Sequence, residues 1–230
     1  MESLNAPAYK IASFEAVDIP LIKYVAKTGK PMIISTGMAN YDEIKEAEEA
    51  ARSSGCNDLI LLHCISSYPA PIDQSNLLTI PDIKNQFNTI TGLSDHTLGT
   101  TVSIASIALG ASVIEKHVTL DRGDKGPDSE FSLEPNELKI LCSESYKVWQ
   151  SLGDAGYERK SAEKDSIKFR RSIYAVEDIK IGDTFTDKNI KRIRPGYGLA
   201  PKYFSDIIGK KCIKKIERGD ALSFDYIESK

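Results

Sequence analysis

Asn88-Thr89-Ile90-Thr91-Gly92-Leu93-Ser94-Asp95-His96 and Ala111-Ser112-Val113-Ile114-Glu115-Lys116-His117, with a helix-length Ala/Ile/Gly segment between them, decide how this chain folds. Each run is short, apolar and β-branched, and each closes on one of the chain's only three histidines. A strand, a helix and a second strand in that order predict a parallel βαβ unit, with both imidazoles projecting at one sheet edge.

The same rhythm extends upstream. Strands are predicted at Tyr9–Ser13, Pro31–Ser35 and Leu59–Cys64, in addition to Asn88–Ser94 and Ser112–His117. Helices are predicted at Ile19–Lys27, Tyr41–Ser53, part of Leu77–Phe87, Thr97–Leu109 and Pro135–Leu152. Pro135 suits the first turn of the last helix, where its missing N–H would have no partner in any case. The reading is α/β: about five βα units, residues 1–152, too few to close an eight-stranded barrel. Polar residues gather at the C-terminal ends of the strands, where barrels and open α/β sheets build their sites.

Residues 153–167 are polar and charged and read as a linker. Residues 168–230 carry short strand runs, Ser172–Val176 and Asn189–Arg194, and two Ile/Gly/Asp turn segments, which predict a small β-rich second domain.

Composition narrows the partners. The 230 residues are 41% hydrophobic, with 30 basic and 33 acidic side chains and a formal net charge of -3. Such a chain is not drawn as a whole to nucleic acid or anionic lipid, so a small-molecule or protein partner is expected. The four cysteines show no CxxC spacing, and Cys64 and Cys142 lie in apolar segments typical of buried free thiols. Reduced thiols, with no signal-peptide pattern and no apolar run of membrane-spanning length, predict a cytoplasmic protein.

Several side chains could carry chemistry. His96 and His117 on adjacent strand ends could share a divalent metal, or could be buried hydrogen-bonding histidines; the residues alone leave both open. His63 lies within a strand beside Cys64 and reads as structural. Lys10 with Ser13, Ser35, Ser66 and Ser94 makes a cation among small donors, suited to a phosphate or carboxylate, although serine also simply ends strands. Glu15, Asp128 and Arg194 stand near strand ends or loops, where an exposed charge is the ordinary outcome.

The segments Lys10-Ile11-Ala12-Ser13-Phe14-Glu15, Ile34-Ser35-Thr36-Gly37-Met38, Cys64-Ile65-Ser66-Ser67-Tyr68-Pro69, Gly92–Gly99, Glu115-Lys116-His117 and Gly126-Pro127-Asp128 resemble, in order and spacing, the sialic acid synthase family. Arg171-Ser172-Ile173, Ile181-Gly182-Asp183 and Ile193-Arg194-Pro195-Gly196 resemble that family's antifreeze-like SAF domain. The resemblance implies a partial (β/α)8 TIM barrel followed by a SAF domain of the β-clip type. Phe14, where neuraminic and legionaminic acid synthases usually carry glycine, is similar to the pseudaminic acid branch.

The implied reaction condenses phosphoenolpyruvate with 2,4-diacetamido-2,4,6-trideoxy-altrose, releasing phosphate; neuraminate or legionaminate synthesis is the alternative sugar choice. The resemblance further implies His96 and His117 as ligands to Mn2+ or Mg2+, and Lys10, Ser13, Ser35, Ser66 and Ser94 as the phosphoenolpyruvate site. Glu15, Tyr68 and Asp128 would hold the sugar or manage protons. Arg194 would reach a partner's sugar in a domain-swapped homodimer. The family's first three barrel strands have no counterpart before Met1, so the isolated chain is expected to be impaired. A non-catalytic carbohydrate-binding remnant and a pyruvate-using aldolase-type lyase are the other readings.

Overall fold

In the computed structural model, which describes residues 4–228, the chain divides into two compact units, one ending at Asp154 and the other beginning at Ala155. The first is built on five parallel strands in the order β1 (Tyr9–Ile11), β2 (Met32–Ser35), β3 (Leu59–Cys64), β4 (Ile90–Asp95) and β5 (Val113–Lys116). Sequential neighbours with a helix in each crossover are what right-handed βαβ connections give. The sheet curls into a half-barrel with β1 and β5 as its edges.

Alternation along each strand sorts the side chains onto two faces. Ile11, Met32, Ile34, Leu59 and Leu61 point to the helix side and form one core with Ile22, Ala26, Ala47, Ala50 and Ala51 of α1 (Ile19–Ala26) and α2 (Tyr41–Ser53). Alanines at that α2 contact let the helix lie close to the strands. A second cluster joins Ile80 of α3 (Thr79–Phe87), Leu93 of β4 and Val102 of α4 (Thr101–Ala108). The helix ends follow from local chemistry. Asn40 and Glu43 make a reciprocal capping box at the start of α2, and Pro135 occupies the first turn of α5 (Pro135–Leu152) above a Glu134/Glu137 box.

Some boundaries differ from the sequence reading. Strand β1 ends at Ile11 because Ser13–Glu15 winds into a 3-10 turn. Helix α4 begins at Thr101, not Thr97, since the Asp95 carboxylate accepts the Thr97 N–H at 2.8 Å and Gly99 takes a positive φ, which together hold a loop there. Cys142 is exposed on α5, unlike Cys56, Cys64 and Cys212, which are buried; all four thiols are free.

The stretch 153–167 is not wholly irregular, because Ser161–Phe169 of the second unit forms 3-10 turns. Strands β6 (Ser172–Ala175) and β7 (Ile190–Ile193) pair antiparallel, and isolated bridges such as Ile179 to Ile216 and Cys212 to Ile227 complete the weave. Ile173, Phe185, Ile190, Ile207, Ile216 and Leu222 form its own core. No helix among the described residues is long and apolar enough to cross a membrane.

Candidate active site

The inner face of the sheet carries polar side chains at its C-terminal ends. Lys10 on β1, Ser35 at the end of β2, Ser94 on β4 and Glu115 on β5 all line one cavity of about 390 Å³, joined by Ser13, Tyr68, His96, His117 and Asp128. Strands β4 and β5 pair Ser94 with Glu115, so the residues two positions on, His96 and His117, emerge on the same side.

Glu115 is the hub. Its Oε1 accepts from Ser94 Oγ at 2.7 Å and Ser35 Oγ at 3.5 Å, and lies 3.4 Å from Lys10 Nζ. One carboxylate thus gathers a cation and two hydroxyls contributed by β1, β2 and β4. Beside it, Ser13 Oγ accepts the Gly37 N–H at 3.0 Å. A Cβ at Gly37 would stand 2.1 Å from Ser66 Oγ and 2.7 Å from Ser13 Oγ, so only glycine lets this loop approach the two hydroxyls.

The His96 and His117 ring centroids are 5.3 Å apart. Tyr68 packs 4.3 Å from His96, and Phe131 lies 5.1 Å from His117 and 5.8 Å from Tyr68, forming an aromatic wall around the imidazoles. His96 Nδ1 donates to the Ile65 carbonyl at 3.0 Å, which assigns the proton to that nitrogen and leaves Nε2 with a free lone pair. Burial pushes the His96 imidazole down, but its bonds to Cys64 and Ile65 outweigh this and carry it above the ordinary value. Burial pushes the Cys64 thiol up, and bonds to His96, Ser13 and Ser66 reverse that direction as well. Cys64 Sγ lies 3.8 Å from His96 Nδ1. His117 is pushed below the usual imidazole value by burial and by the nearby His96, with Asp128 and Glu115 opposing. Its Nδ1 lies 3.7 Å from Asp128 Oδ2. Burial and the neighbouring Cys64 raise the Tyr68 phenol.

Two imidazoles, one with its outer nitrogen fixed as a donor to backbone, fit a divalent ion that draws its remaining ligands from oxygens of water or substrate. Among the described residues, no group of three or more His, Cys, Asp or Glu side chains is arranged to hold a metal, so the protein's share of such a site would be these two rings.

Of the residues singled out from sequence, Lys10, Ser13, Ser35, Tyr68, Ser94, His96, His117 and Asp128 line the cavity. Ser66 stands just behind it, 3.8 Å from Cys64 Sγ. Glu15 is exposed in the 3-10 turn after β1, and Arg194 is exposed after β7 in the second unit. His63 is buried, with Nε2 2.8 Å from the Ser75 carbonyl. Sequence reading gave no role in the site to Glu115 or Phe131. The period-two match of Glu115 with His117 was the signal available for the first.

A half-barrel with this polar end defines a class, and the family comparison names it: residues 1–157 match the NeuB family and residues 170–228 match the SAF domain. The chain belongs to the NeuB family. It is 42% identical over 215 residues to a pseudaminic acid synthase of Campylobacter jejuni subsp. jejuni, covering 94% of this chain and 63% of that protein. It is 38% identical over 225 residues to an N,N'-diacetyllegionaminic acid synthase of the same organism, covering 96% of this chain and 67% of the relative. The chain therefore spans about two thirds of the length of these curated relatives. Among solved structures, the spore coat polysaccharide biosynthesis protein spsE of Bacillus subtilis superposes with a TM-score of 0.64 at 33% identity, covering 100% of this chain and 70% of that one.

Proposed function

We propose that this chain serves the condensation of phosphoenolpyruvate with an open-chain amino sugar, 2,4-diacetamido-2,4,6-trideoxy-altrose, to give pseudaminic acid and phosphate. One observation carries the reading: Lys10, the hydroxyls of Ser13, Ser35 and Ser94, and the two imidazoles share a single cavity. The relative named pseudaminic acid synthase supports the sugar choice.

In this reading Lys10 and the serines hold the phosphate and carboxylate of phosphoenolpyruvate by charge-assisted hydrogen bonds. Ser66, behind Ser13 at the Gly37 approach, completes that cradle. C3 of phosphoenolpyruvate forms a C–C bond to the aldehyde carbon, whose oxygen takes a proton. Water then adds at C2, and the C2–O bond to phosphate breaks with its electron pair leaving on phosphate, so that C2 becomes a ketone. A divalent ion, held by His96 and His117 when bound, supplies polarisation of the aldehyde. Glu115 sits among the donors that would hold the substrate anion. We assign to Glu115 the proton that water gives up at C2.

Tyr68 and Asp128 at the cavity mouth, with Glu15, orient the sugar, and Phe14 selects among sugars. Phe14 stands 62% exposed in the same turn as Glu15, free to meet a ligand. Arg194 offers a planar, permanently charged fork for an N-acetyl oxygen, acting across a domain-swapped homodimer. Legionaminate synthesis is the second reading, favoured by the relative of that name.

Calorimetry of phosphoenolpyruvate with the purified chain, with and without Mn2+, tests the binding half. Turnover is followed as phosphate release and as 2-oxo acid mass, using the chain alone and the chain joined to the N-terminal third of the Campylobacter pseudaminic acid synthase. Binding with turnover in the joined protein is expected. Neither binding nor phosphate release would overturn the reading, and sugar binding without phosphate release in the joined protein would replace it with a carbohydrate-binding role. Phe14→Gly should shift preference towards N-acetylmannosamine; an unchanged preference would remove Phe14 as selector.

A further inference from the structure

On the opposite side of β4 and β5 from the cavity lies a charged pair that the proposed chemistry does not use. Asp95 and Lys116 are register partners on the two strands, each immediately before one of the two site histidines. Lys116 Nζ lies 2.8 Å from Asp95 Oδ2, and the two side chains are 3% and 1% exposed. Helix α4 and the backbone just after β4 contribute to the knot. Ser103 Oγ on α4 donates to Asp95 Oδ2 at 2.5 Å, the Thr97 N–H donates to Oδ1 at 2.8 Å, and Lys116 Nζ also donates to the Thr97 carbonyl at 2.5 Å. Thr97 directly follows His96, so the knot grips the backbone on both sides of that histidine and the residue before the other.

A buried ion pair is weak evidence of stabilisation, because desolvation offsets much of the attraction. Placing one here demands another reason, and the geometry points to it. We propose that Asp95 and Lys116 are positioning residues that set the separation and orientation of His96 and His117, and through them the affinity for a divalent cation. Without the clamp, the end of β5 keeps its backbone bonds to Leu133, whose N–H donates to the His117 carbonyl and whose carbonyl accepts from the Thr119 N–H at 2.9 Å each, but loses its side-chain tie to β4. The 5.3 Å spacing of the rings would then broaden into a range. The inference about cation affinity rests on the metal-site reading given above, whereas the inference about ring spacing does not.

The test separates the two. A single change would strand a buried charge and could unfold the unit, so the working variant removes both charges at once, Asp95→Leu with Lys116→Met, and Lys116→Arg serves as the conservative control. Three measurements are made on each: urea unfolding, the cross-ring NOE between His96 and His117 in metal-free protein, and Mn2+ affinity by electron paramagnetic resonance, with His96→Ala as the reference for a lost ligand. The double variant should stay folded, lose most of the NOE, and bind Mn2+ at least about tenfold more weakly, the range seen when outer partners of metal ligands are removed. Lys116→Arg should restore the NOE and most of the affinity. A folded double variant with the wild-type NOE overturns the clamp, whatever the metal result. If the NOE is lost but wild-type protein binds no Mn2+, the metal-site reading fails and the affinity half of the proposal falls with it, while the positioning half stands. If the Leu/Met pair does not fold, the size-matched neutral pair Asp95→Asn with Lys116→Met takes its place, and a wild-type NOE in that folded protein overturns the positioning role.

Discussion

Gly37→Ala separates binding from stability in the proposed anion cradle. The new methyl would stand 2.1 Å from Ser66 Oγ, 2.7 Å from Ser13 Oγ and 3.1 Å from Cys64 Sγ, and no backbone atom is among these neighbours. Serine hydroxyls can rotate away, so the fold should survive. Off-rotamer placement costs about 0.5–1.5 kcal/mol for each serine. Losing the Gly37 N–H to Ser13 Oγ bond, 3.0 Å long, adds about 1 kcal/mol. The unfolding free energy should therefore drop by about 2–4 kcal/mol. The effect on phosphoenolpyruvate should be larger, because both displaced hydroxyls would otherwise donate to an anion, at about 1.5–3 kcal/mol each. Losing two such bonds weakens affinity by about 10²-fold or more. Urea denaturation and titration calorimetry on the same preparations read the two numbers. An affinity within about threefold of wild type, in protein destabilised as expected, would refute the placing of Ser13 and Ser66 at the anion.

Three shorter expectations follow from other contacts. In Gly92→Ala the Cβ would meet the Val113 carbonyl oxygen at 2.2 Å, forcing β4 and β5 apart; urea unfolding should show a loss of about 1–3 kcal/mol, and wild-type stability would show that the strands give way freely. Burial holds the His63 imidazole below its ordinary 6.5, so its contribution is fully present above pH 6.5 and is lost as pH falls through the folded value. His63→Gln should thus flatten the fall in stability between neutral and acid pH, and identical slopes in both proteins would exclude His63 as the source. Mn2+ at a hundred times its dissociation constant should stabilise the wild type by about 2.7 kcal/mol in thermal unfolding, and neither His96→Ala nor His117→Ala should respond.

Much of the architecture could be read from residue order. Each strand run is bounded by polar or turn residues, and the spacing between runs accommodates a helix, so β1 to β5 and their crossovers were legible. Contacts spanning the sheet were not. Glu115 looks like one of many strand-end acids until β1, β2 and β4 bring Lys10, Ser35 and Ser94 to it. The glycine of Ser35-Thr36-Gly37-Met38 reads as a companion of the serine series, but the close approach of Ser13 and Ser66 that demands it comes only from the fold. The delayed start of α4 has a similar origin, in an Asp95 side chain that competes locally for the Thr97 N–H. His63 beside Cys64 reads as structural because neighbouring strand residues face opposite ways, and in the structure it is buried against the Ser75 carbonyl, off the cavity.

The two ion pairs that flank β4 and β5 differ in what the solvent can do to them. Lys10 and Glu115, with side chains 30% and 41% exposed, feel mobile ions, and at physiological ionic strength the screening length is only about 8 Å. Asp95 and Lys116, 1% and 3% exposed, lie out of reach of those ions. Salt therefore acts on one face of these strands and not on the other: it loosens the grip on an incoming anion while the spacing of the imidazoles stays as it was.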